Sequence, residues 1–519
     1  MKRPHKLTAL ALGAFALSLL TSPVMPAFAA EGTSADTGKT VTLRVCNWEE
    51  YIDTGDWGED ETIDLPSGDI RGDNSMVEDF EQWYYETYGV RVKVEYSTFG
   101  TNEDLYNMLT LGDTYDLVCP SEYMFMKLMD EGQLVPLSDH FFDTSDENNY
   151  YIRSVSPYLE NIFQTQERNG EPWAKYAAGY MWGVTGIVYN PNVVTKEEAS
   201  TWNIFDNPKF YRQVTIKDNV RDSYFAAVGA IKSSLLTSQD FLADPNYHEN
   251  LEEEMNDTSP EMVGEVQDWL QGVKDNVYSF ETDSGKADMI TGKVVANYQW
   301  SGDAVYTMDQ ADEDDYTLNF AVPEESTNIY FDGWVMLKRG IGGDAAKQQA
   351  AEAFINFLSR PDNAIRNMYY IGYTSFISGG DDDRIFEYLK WNYAADEDET
   401  DTVDYNLDYF FEGEGKDDGK YVFSAPADAV DRQLSAQYPS TDVIQRSSIM
   451  RCFTPEESKL TNQMWVNVRC YNLSKITPAG WVLIALFVTA VVFAAVQKGR
   501  RRHHQSEAGK RQMERRKKD

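Results

Sequence analysis

The sequence predicts an α/β fold built on a parallel, doubly wound sheet, followed by a single C-terminal transmembrane helix. Strand-like and helix-like segments alternate from residue 41 to about residue 132, and a second series runs from about 150 to 358. Such alternation is typical of parallel sheets covered by helices. Residues 478–496 (PAGWVLIALFVTAVVFAAV) are 19 residues without a charge. This length is enough for a helix to cross a bilayer.

The overall composition favours a folded, acidic, exported protein. The chain has 519 residues and a formal net charge of -39, from 85 Asp+Glu against 46 Lys+Arg. This charge makes nucleic acid an implausible partner and favours cationic ligands or a soluble exterior surface. Aromatic residues make up 13% of the chain. Acidic disordered chains are poor in aromatics, so we expect a large folded core.

Both ends of the chain carry targeting features. Residues 1–30 resemble a secretory signal peptide, with a basic start, an apolar run and the small-x-small site Ala27-Phe28-Ala29. The predicted membrane helix at 478–496 is followed by a basic tail at 497–519, which the positive-inside rule places in the cytoplasm. We therefore expect cell-membrane attachment with the ligand-binding body outside the cell.

The cysteines and acidic runs of this body leave some questions open. Four cysteines allow three disulfide pairings, and four free thiols are a further possibility. A metal site is disfavoured because CxxC is absent and the body holds only His140 and His248. Residues 380–420 contain DEDETD and EGEGKDDGKY, which suggest calcium. Neither run has the EF-hand spacing, so a solvated insertion is preferred.

The first series of elements is read from hydrophobic periodicity. Residues 41–45 and 90–96 alternate as strands, and residues 115–119 form a short strand closed by a proline. Helices are indicated between them by Val77, Phe80 and Tyr84 on one face, by a cap at Thr101 or Asn102, and by a start at Ser121.

The second series is predicted in the same way. Strands are expected at 181–190, 211–217, 294–300, 319–323 and 335–338, with an irregular polar segment between the last two. Helices are expected at 222–236, 260–277 and 345–358.

The loop that follows the first strand is the first candidate for a binding site. Residues 47–53 (NWEEYID) combine two aromatic rings with three carboxylates. In open α/β sheets, ligands bind at the carboxyl ends of the strands. Carboxylates and ring faces both attract cations, although an acidic surface loop with half-buried aromatics is an equal alternative on these residues alone.

The sequence resembles the polyamine (spermidine/putrescine) substrate-binding proteins of ABC importers. The similarity rests on several motifs in family order across about 330 residues rather than on one of them. These motifs are NWEEY at 47–51, YSTFGTNEDLYNML at 96–109, YDLVCPSEYMFMKLMDEG at 115–132, MWGVTGIVYNP at 181–191, WSGD at 300–303, INFLSRPDNA at 355–364 and IGYTS at 371–375.

This resemblance implies a two-lobed α/β fold of the periplasmic-binding-protein type (type II), with ligand held between the lobes. The expected first lobe is residues 41–150, continued at about 326–380, and the second lobe is 151–325. Residues 381–420 are the acidic insertion, and residues 421–477 are a segment packing on the lobes.

The resemblance also implies a set of ligand contacts, carried over one by one. Asn219 stands where a second acid is usual in spermidine binders, and Tyr330 stands where tryptophan is usual. A late polar contact falls near Met450 or Arg451. The predicted ligand-binding residues are Trp48, Glu49, Glu50, Tyr51, Tyr123, Asp222, Trp300, Asp303, Tyr330, Asp332 and Tyr373.

These residue types suit a polyamine, since each buried ammonium needs a carboxylate and the methylenes favour aromatic walls. We therefore expect a binding protein that captures spermidine or putrescine and delivers it to an ABC permease, without a cofactor. The alternatives are a membrane-tethered polyamine sensor, or a binder of another small solute on the same fold. An enzyme is disfavoured because GxSxG, HExxH and P-loop motifs are absent from the body, and no catalytic residues are predicted.

Overall fold

A computed structural model of the chain describes residues 40–58, 61–470 and 480–490. The predicted signal peptide at 1–30 and the basic tail at 497–519 lie outside these residues. Within the described part, the chain divides at Ser458 into two units, the second beginning at Lys459. All the strands belong to the first unit, which also contains most of the helices.

The strands, in chain order, are β1 (Thr40–Trp48), β2 (Ile63–Leu65), β3 (Gly68–Ile70), β4 (Arg91–Phe99), β5 (Leu117–Val118), β6 (Leu134–Val135), β7 (Glu167–Arg168), β8 (Glu171–Pro172), β9 (Ala177–Tyr189), β10 (Val214–Lys217), β11 (Ser279–Glu281), β12 (Ala296–Trp300), β13 (Asn319–Ala321), β14 (Thr327–Leu337), β15 (Thr374–Ser375), β16 (Thr402–Asn406), β17 (Val422–Pro426) and β18 (Ser447–Ser448).

The helices are α1 (Met76–Tyr88), α2 (Asn102–Leu111), α3 (Glu122–Asp130), α4 (Tyr150–Ser154), α5 (Pro157–Thr165), α6 (Lys196–Ala199), α7 (Val220–Ile231), α8 (Ser233–Leu236), α9 (Gln239–Leu242), α10 (Tyr247–Met255), α11 (Pro260–Asn276), α12 (Gly285–Ile290), α13 (Ser301–Glu313), α14 (Lys338–Ile341), α15 (Ala345–Leu358), α16 (Pro361–Ile371), α17 (Arg384–Tyr393), α18 (Asp408–Glu412), α19 (Gln433–Gln437), α20 (Thr441–Gln445) and α21 (Pro455–Arg469). Residues 480–490 are also helical.

The strands of the main sheet lie in the order β11-β10-β12-β9-β14-β5-β1-β4, with the two long strands β9 and β14 at its centre. At one end β4, β1 and β5 are parallel, and at the other end β11, β10 and β12 are parallel. The central strands β9 and β14 are antiparallel to each other and to these neighbours. The predicted parallel βα series is therefore present at both ends, joined by an antiparallel pair that the periodicity did not indicate.

The segment between residues 323 and 335 is a strand, not the predicted irregular polar segment. All of β14 is buried, from Thr327 to Leu337. Asn328 and Asp332 interrupt its apolar character. A strand covered on both faces lacks the alternation that marks a half-buried strand, and this is why periodicity missed it.

Other predicted elements differ mainly at their ends. The predicted helix at 222–236 is two helices, because α7 ends at Ile231 and α8 begins at Ser233, with Lys232 between them. The predicted helix at 345–358 is present with the same bounds. Within the predicted insertion at 381–420, α17, β16 and α18 are regular structure, and β16 pairs with β17, which follows the insertion.

The acidic residues of this region include a group of three carboxylates, those of Asp408, Glu412 and Asp418, whose oxygens lie within 4.8 Å of one another. Backbone amides of Gly419 and Tyr421 donate to Asp408 at 2.6 and 2.7 Å. The chain's own donors therefore bind the buried member of this group.

The four cysteines are free thiols in the structure. Cys46 is buried on β1, and Cys119 is buried directly after the neighbouring strand β5. The backbone amide of Cys119 donates to the carbonyl of Cys46 at 3.2 Å. Of the three pairings considered from the sequence, the structure contains none.

The predicted membrane helix at 478–496 falls partly outside the described residues. Its central part, 480–490, is helical. Across the ranges that the structure describes, no helix combines the length and the apolar character required to cross a bilayer.

Candidate functional site

A cavity of about 1200 Å³ opens at the carboxyl ends of the parallel strands. The segments that follow β1, β5, β10 and β12 all contribute to its wall, as expected for a site in an α/β sheet. All eleven residues predicted from the sequence line this cavity: Trp48, Glu49, Glu50, Tyr51, Tyr123, Asp222, Trp300, Asp303, Tyr330, Asp332 and Tyr373.

The loop after β1 is held tightly by backbone contacts. The amide of Glu49 donates to the carbonyl of Phe99 at 3.2 Å. The hydroxyl of Tyr180 donates to the carbonyl of Tyr51 at 2.8 Å. Glu50 has a φ of 53°, a conformation that residues other than glycine seldom adopt. This sharp turn leaves Glu49 and Glu50 exposed and directs Tyr51 inwards, where it is buried.

Asp53, the third carboxylate of this loop, anchors the loop rather than lining the cavity. It forms a buried ion pair with Arg366, which also pairs with Asp79 at 2.6 Å. Asp53 further accepts from the amide of Gly55 at 2.7 Å and from the indole of Trp57 at 3.2 Å. The loop is therefore fixed from behind by a fully paired carboxylate.

Asp332 is placed by an irregularity in the central strand pair. The register of β14 against β9 shifts between Asp332 and Gly333, which leaves Tyr180 as the extra residue on β9. The two oxygens of Asp332 accept hydrogen bonds from the hydroxyls of Tyr51 and Ser121, both at 2.7 Å. Burial raises the pKa of Asp332 to about 6, and these hydrogen bonds oppose the rise.

The carboxylate of Asp332 lies among aromatic rings. Among the described residues, no lysine, arginine or histidine nitrogen lies within 4.0 Å of its carboxylate. The ring of Tyr51 meets that of Tyr373 edge-on at 4.7 Å, and Tyr330 lies 6.4 Å from Tyr373 between ring centroids. A carboxylate that is 5% exposed in such surroundings is suited to a cation from outside the chain.

Asp222 lies in the first turn of α7, next to the strand β10. The side chain of Asn219 caps this helix by accepting from the amides of Arg221 and Asp222. Burial raises the pKa of Asp222 to about 6, whereas Lys217 lowers it, and the indole of Trp300 donates to its carboxylate. The carboxylate of Asp222 therefore interacts electrostatically with the ammonium group of Lys217.

Asp303, in the first turn of α13, lies beside two lysines of the chain. Lys217 Nζ lies 3.9 Å from Asp303 Oδ2, and Lys286 Nζ lies 3.6 Å from Asp303 Oδ1. The hydroxyl of Tyr373 donates to Oδ1 at 3.1 Å. Asp303 lines the cavity as part of a lysine cluster and not as an unpaired carboxylate.

Tyr123 forms a wall that is supported from behind. Its hydroxyl donates to Glu103 at 3.3 Å, and the guanidinium of Arg221 lies 4.5 Å from its ring centroid. Arg221 is in turn covered by Phe453, at 3.6 Å. One face of the Tyr123 ring is thus occupied by a cation of the chain.

Several cavity residues were missed from the sequence. The carboxylate of Glu122 is fully buried, accepts from the amide of Phe331 at 3.0 Å through Oε2, and has no partner for Oε1 in the described structure. Burial raises the pKa of Glu122 to about 8, so this group is largely protonated at neutral pH. Ser121 and Glu122 belong to the PSEY motif, which could have identified them; Lys286 lies in no motif. Met450 lines the cavity where a polar contact was expected.

Comparison with known proteins identifies the relatives of this chain. Residues 75–387 match the sequence profile of a family described as "Bacterial extracellular solute-binding protein". The chain is 25% identical over 334 residues to the spermidine/putrescine-binding periplasmic protein of Salmonella typhimurium, covering 64% of this chain and 76% of that protein. It is 25% identical over 330 residues to the putrescine-binding periplasmic protein PotF of Escherichia coli, covering 62% and 74%.

Two solved structures show the same fold. The PotD spermidine/putrescine substrate-binding protein of Streptococcus pneumoniae superposes with a TM-score of 0.52 at 22% identity, covering 83% of this chain and 99% of that one. A putative spermidine/putrescine transporter protein from Listeria monocytogenes gives a TM-score of 0.55 at 21% identity, with coverage of 83% and 99%. The predicted two-lobed α/β fold and the resemblance found in the motifs are thereby confirmed.

Proposed function

This chain belongs to the family of bacterial extracellular solute-binding proteins, and from that premise we propose that it captures a polyamine, spermidine or putrescine, and delivers it to an ABC permease. The protein is a solute-binding protein and not an enzyme. The ligand would lie between the two lobes, in the cavity at the carboxyl ends of the parallel strands, and would favour the closed form by contacting both lobes.

The observation that carries this proposal is the buried Asp332 carboxylate, which has hydroxyl donors but no cationic partner among the described residues. An ammonium group would supply the missing charge, since a buried carboxylate without a counter-charge is strongly unfavourable. The rings of Tyr51, Tyr330 and Tyr373 would contact the ammonium and the methylenes next to it. The names of the curated relatives favour the same ligand class.

The direct test is calorimetric titration of the purified full-length chain, kept in a mild non-ionic detergent, with spermidine and with putrescine. We expect at least one of them to bind with a Kd of about 1 µM or lower. 1,4-Butanediol is the matched control ligand, because it keeps the methylene chain without the charges. If neither polyamine releases heat or changes tryptophan emission at millimolar concentration, the proposal fails.

Membrane attachment is the part of the proposal that rests on the sequence. The 19 uncharged residues at 478–496 and the basic tail at 497–519 would hold the receptor beside the permease, with the body outside the cell. We expect the full-length chain to stay in membranes washed with alkaline carbonate, and a chain ending at residue 470 to be released. Release of both chains would contradict the anchor while leaving ligand capture intact.

A further inference from the structure

Two lysines of the chain converge on Asp303, which lines the cavity. Lys217 and Lys286 place their ammonium groups 3.9 and 3.6 Å from the two oxygens of Asp303. Lys217 also lies 3.8 Å from the centroid of the Trp300 ring. The Asp303 carboxylate and the Trp300 ring were expected to contact a ligand ammonium. Both are therefore already in contact with cations of the protein itself.

The two lysines differ in their burial and in whether they line the cavity. Lys217 is 1% exposed and donates to the carbonyl of Thr282 at 3.0 Å, so it belongs to the protein interior. Lys286, in contrast, lines the cavity. Its second partner is Asp283, at 2.6 Å, whose side chain is 73% exposed. Lys286 thus presents a positive charge on the cavity wall itself.

The carboxylates that line the cavity consequently differ in the cations that they face. Asp222 and Asp303 both lie under the influence of Lys217, and Asp303 also pairs with Lys286. Asp332 has no cationic partner in the described part of the chain. Glu49 and Glu50, next to Trp48 in the cavity wall, are exposed, and Glu50 is close enough to Lys286 to raise the pKa of that lysine. Glu122 is also buried in the wall, but burial keeps it largely protonated. Asp332 is therefore the buried, ionised carboxylate that the cavity offers to a ligand cation without a cation of the described chain beside it.

We infer that Lys286 is a specificity-determining residue, whose ammonium occupies the position that an additional ligand ammonium would take at Asp303. The inference rests on the proposed function and deepens it. A linear diamine, with one ammonium at Asp332 and the other in the solvated part of the cavity near Glu49, fits this charge arrangement. A triamine would bring a further ammonium close to Lys286, and two like charges a few ångströms apart repel strongly in a partly buried site.

The test compares Lys286→Met with the full-length wild-type chain, by titrating both with putrescine and spermidine. Methionine keeps an unbranched apolar side chain and removes the charge. The matched control is Lys293→Met, because Lys293 also pairs with an aspartate, Asp288 at 2.9 Å, but lies outside the residues lining the cavity. Circular dichroism of all three proteins checks that the fold is kept.

We expect the wild type and Lys293→Met to prefer putrescine by about tenfold or more, and Lys286→Met to lose most of this preference through tighter spermidine binding. A wild-type preference for spermidine, or a ratio of the two affinities that Lys286→Met leaves within about twofold of wild type, would overturn the inference. Failure of both ligands to bind any of the proteins is a different result, because it refutes the proposed function together with the inference.

Discussion

At the scale of single residues, Asp332 and Asp303 show that identical side chains in one cavity carry different chemistry. Asp332 accepts two hydroxyl hydrogen bonds and has no cationic partner among the described residues, whereas Asp303 faces two lysines. Burial alone would make both carboxylates costly. The neighbours decide which of them remains available to an external cation.

Asp332→Asn removes the charge with little change in volume. We expect polyamine affinity to fall by at least about 100-fold, since loss of one partner of a buried charge pair costs about 3 kcal/mol or more. The unliganded variant should be more stable than wild type at pH 7.5, by on the order of 1 kcal/mol, because it no longer buries an ionised carboxylate. Calorimetric titration and thermal unfolding at pH 7.5 measure the two effects.

The stability difference should disappear near pH 4, where Asp332 is protonated in the wild type. The sign follows from its raised pKa: between about pH 4 and pH 6 the unfolded state ionises before the folded state, so this group's contribution to stability is lost as pH rises. A variant that keeps wild-type affinity would mean that the ligand cation lies elsewhere.

The pKa of about 6 for Asp332 also predicts a pH dependence of binding. Below this pH the unliganded site takes up a proton and loses the charge that attracts an ammonium group. We expect the affinity for putrescine to be about tenfold weaker at pH 5 than at pH 7, as follows from titration of one group. Titrations across this range measure it, and Asp332→Asn should be flatter over the same range. A flat wild-type profile would contradict the assignment.

At the scale of elements, the site is made by the junctions between strands and helices. Asp222 and Asp303 lie in the first turns of α7 and α13, directly after β10 and β12. Acids favour this end of a helix, and parallel strands bring such junctions to one edge of the sheet. The same local preference that starts the helix therefore delivers a carboxylate to the cavity.

Gly302 tests how far the site depends on close packing between two such elements. A Cβ at this position would lie 2.1 Å from the ring of Tyr373, so Gly302→Ala must displace that ring. We expect polyamine affinity to fall about tenfold and stability to fall by about 1–3 kcal/mol, as for other overpacked sites. Titration and thermal unfolding measure both.

Gly264→Ala is the matched control within helix α11, because nothing lies within 4 Å of the added Cβ. It should leave binding unchanged and raise stability by about 0.5–1 kcal/mol, the usual preference for alanine over glycine in a helix. Equal binding by the two alanine variants would show that Tyr373 can move without affecting the ligand.

At the scale of the whole molecule, the dominant feature is charge. A net charge of -39 produces a negative potential around the protein, which attracts multivalent cations before any specific contact forms. The lysines at Asp303 alter the charge locally within the cavity, whereas this long-range field depends on the sum of all the charges.

The association rate of putrescine should therefore depend on ionic strength. We expect it to fall by about threefold to tenfold between 20 and 500 mM salt, because screening shortens the range of the field, while the dissociation rate changes less than about twofold. Stopped-flow tryptophan fluorescence separates the two rates. An association rate that is independent of salt would show that the field has no part in capture.

Much of the fold and of the cavity wall was accessible from the sequence. Alternating strands and amphipathic helices predicted the parallel series at both ends of the sheet, and helix α15 with its bounds. The motifs predicted eleven residues that do line one cavity. These features depend on local periodicity, or on short segments that the family resemblance identifies. Both kinds of signal can be read directly from the sequence.

Only the tertiary structure decided what those residues face. The antiparallel pairing of β9 with β14 was not predicted, and most of β14 was missed because a strand buried on both faces loses its alternation. Lys217 and Lys286 reach Asp303 from positions 86 and 17 residues earlier in the chain, and no motif links them. Charge pairing acts through space. The sequence by itself therefore determined the carboxylates that its motifs carry into the cavity wall, whereas the packing of distant segments determined that Asp303 faces two lysines and that Asp332 faces none among the described residues.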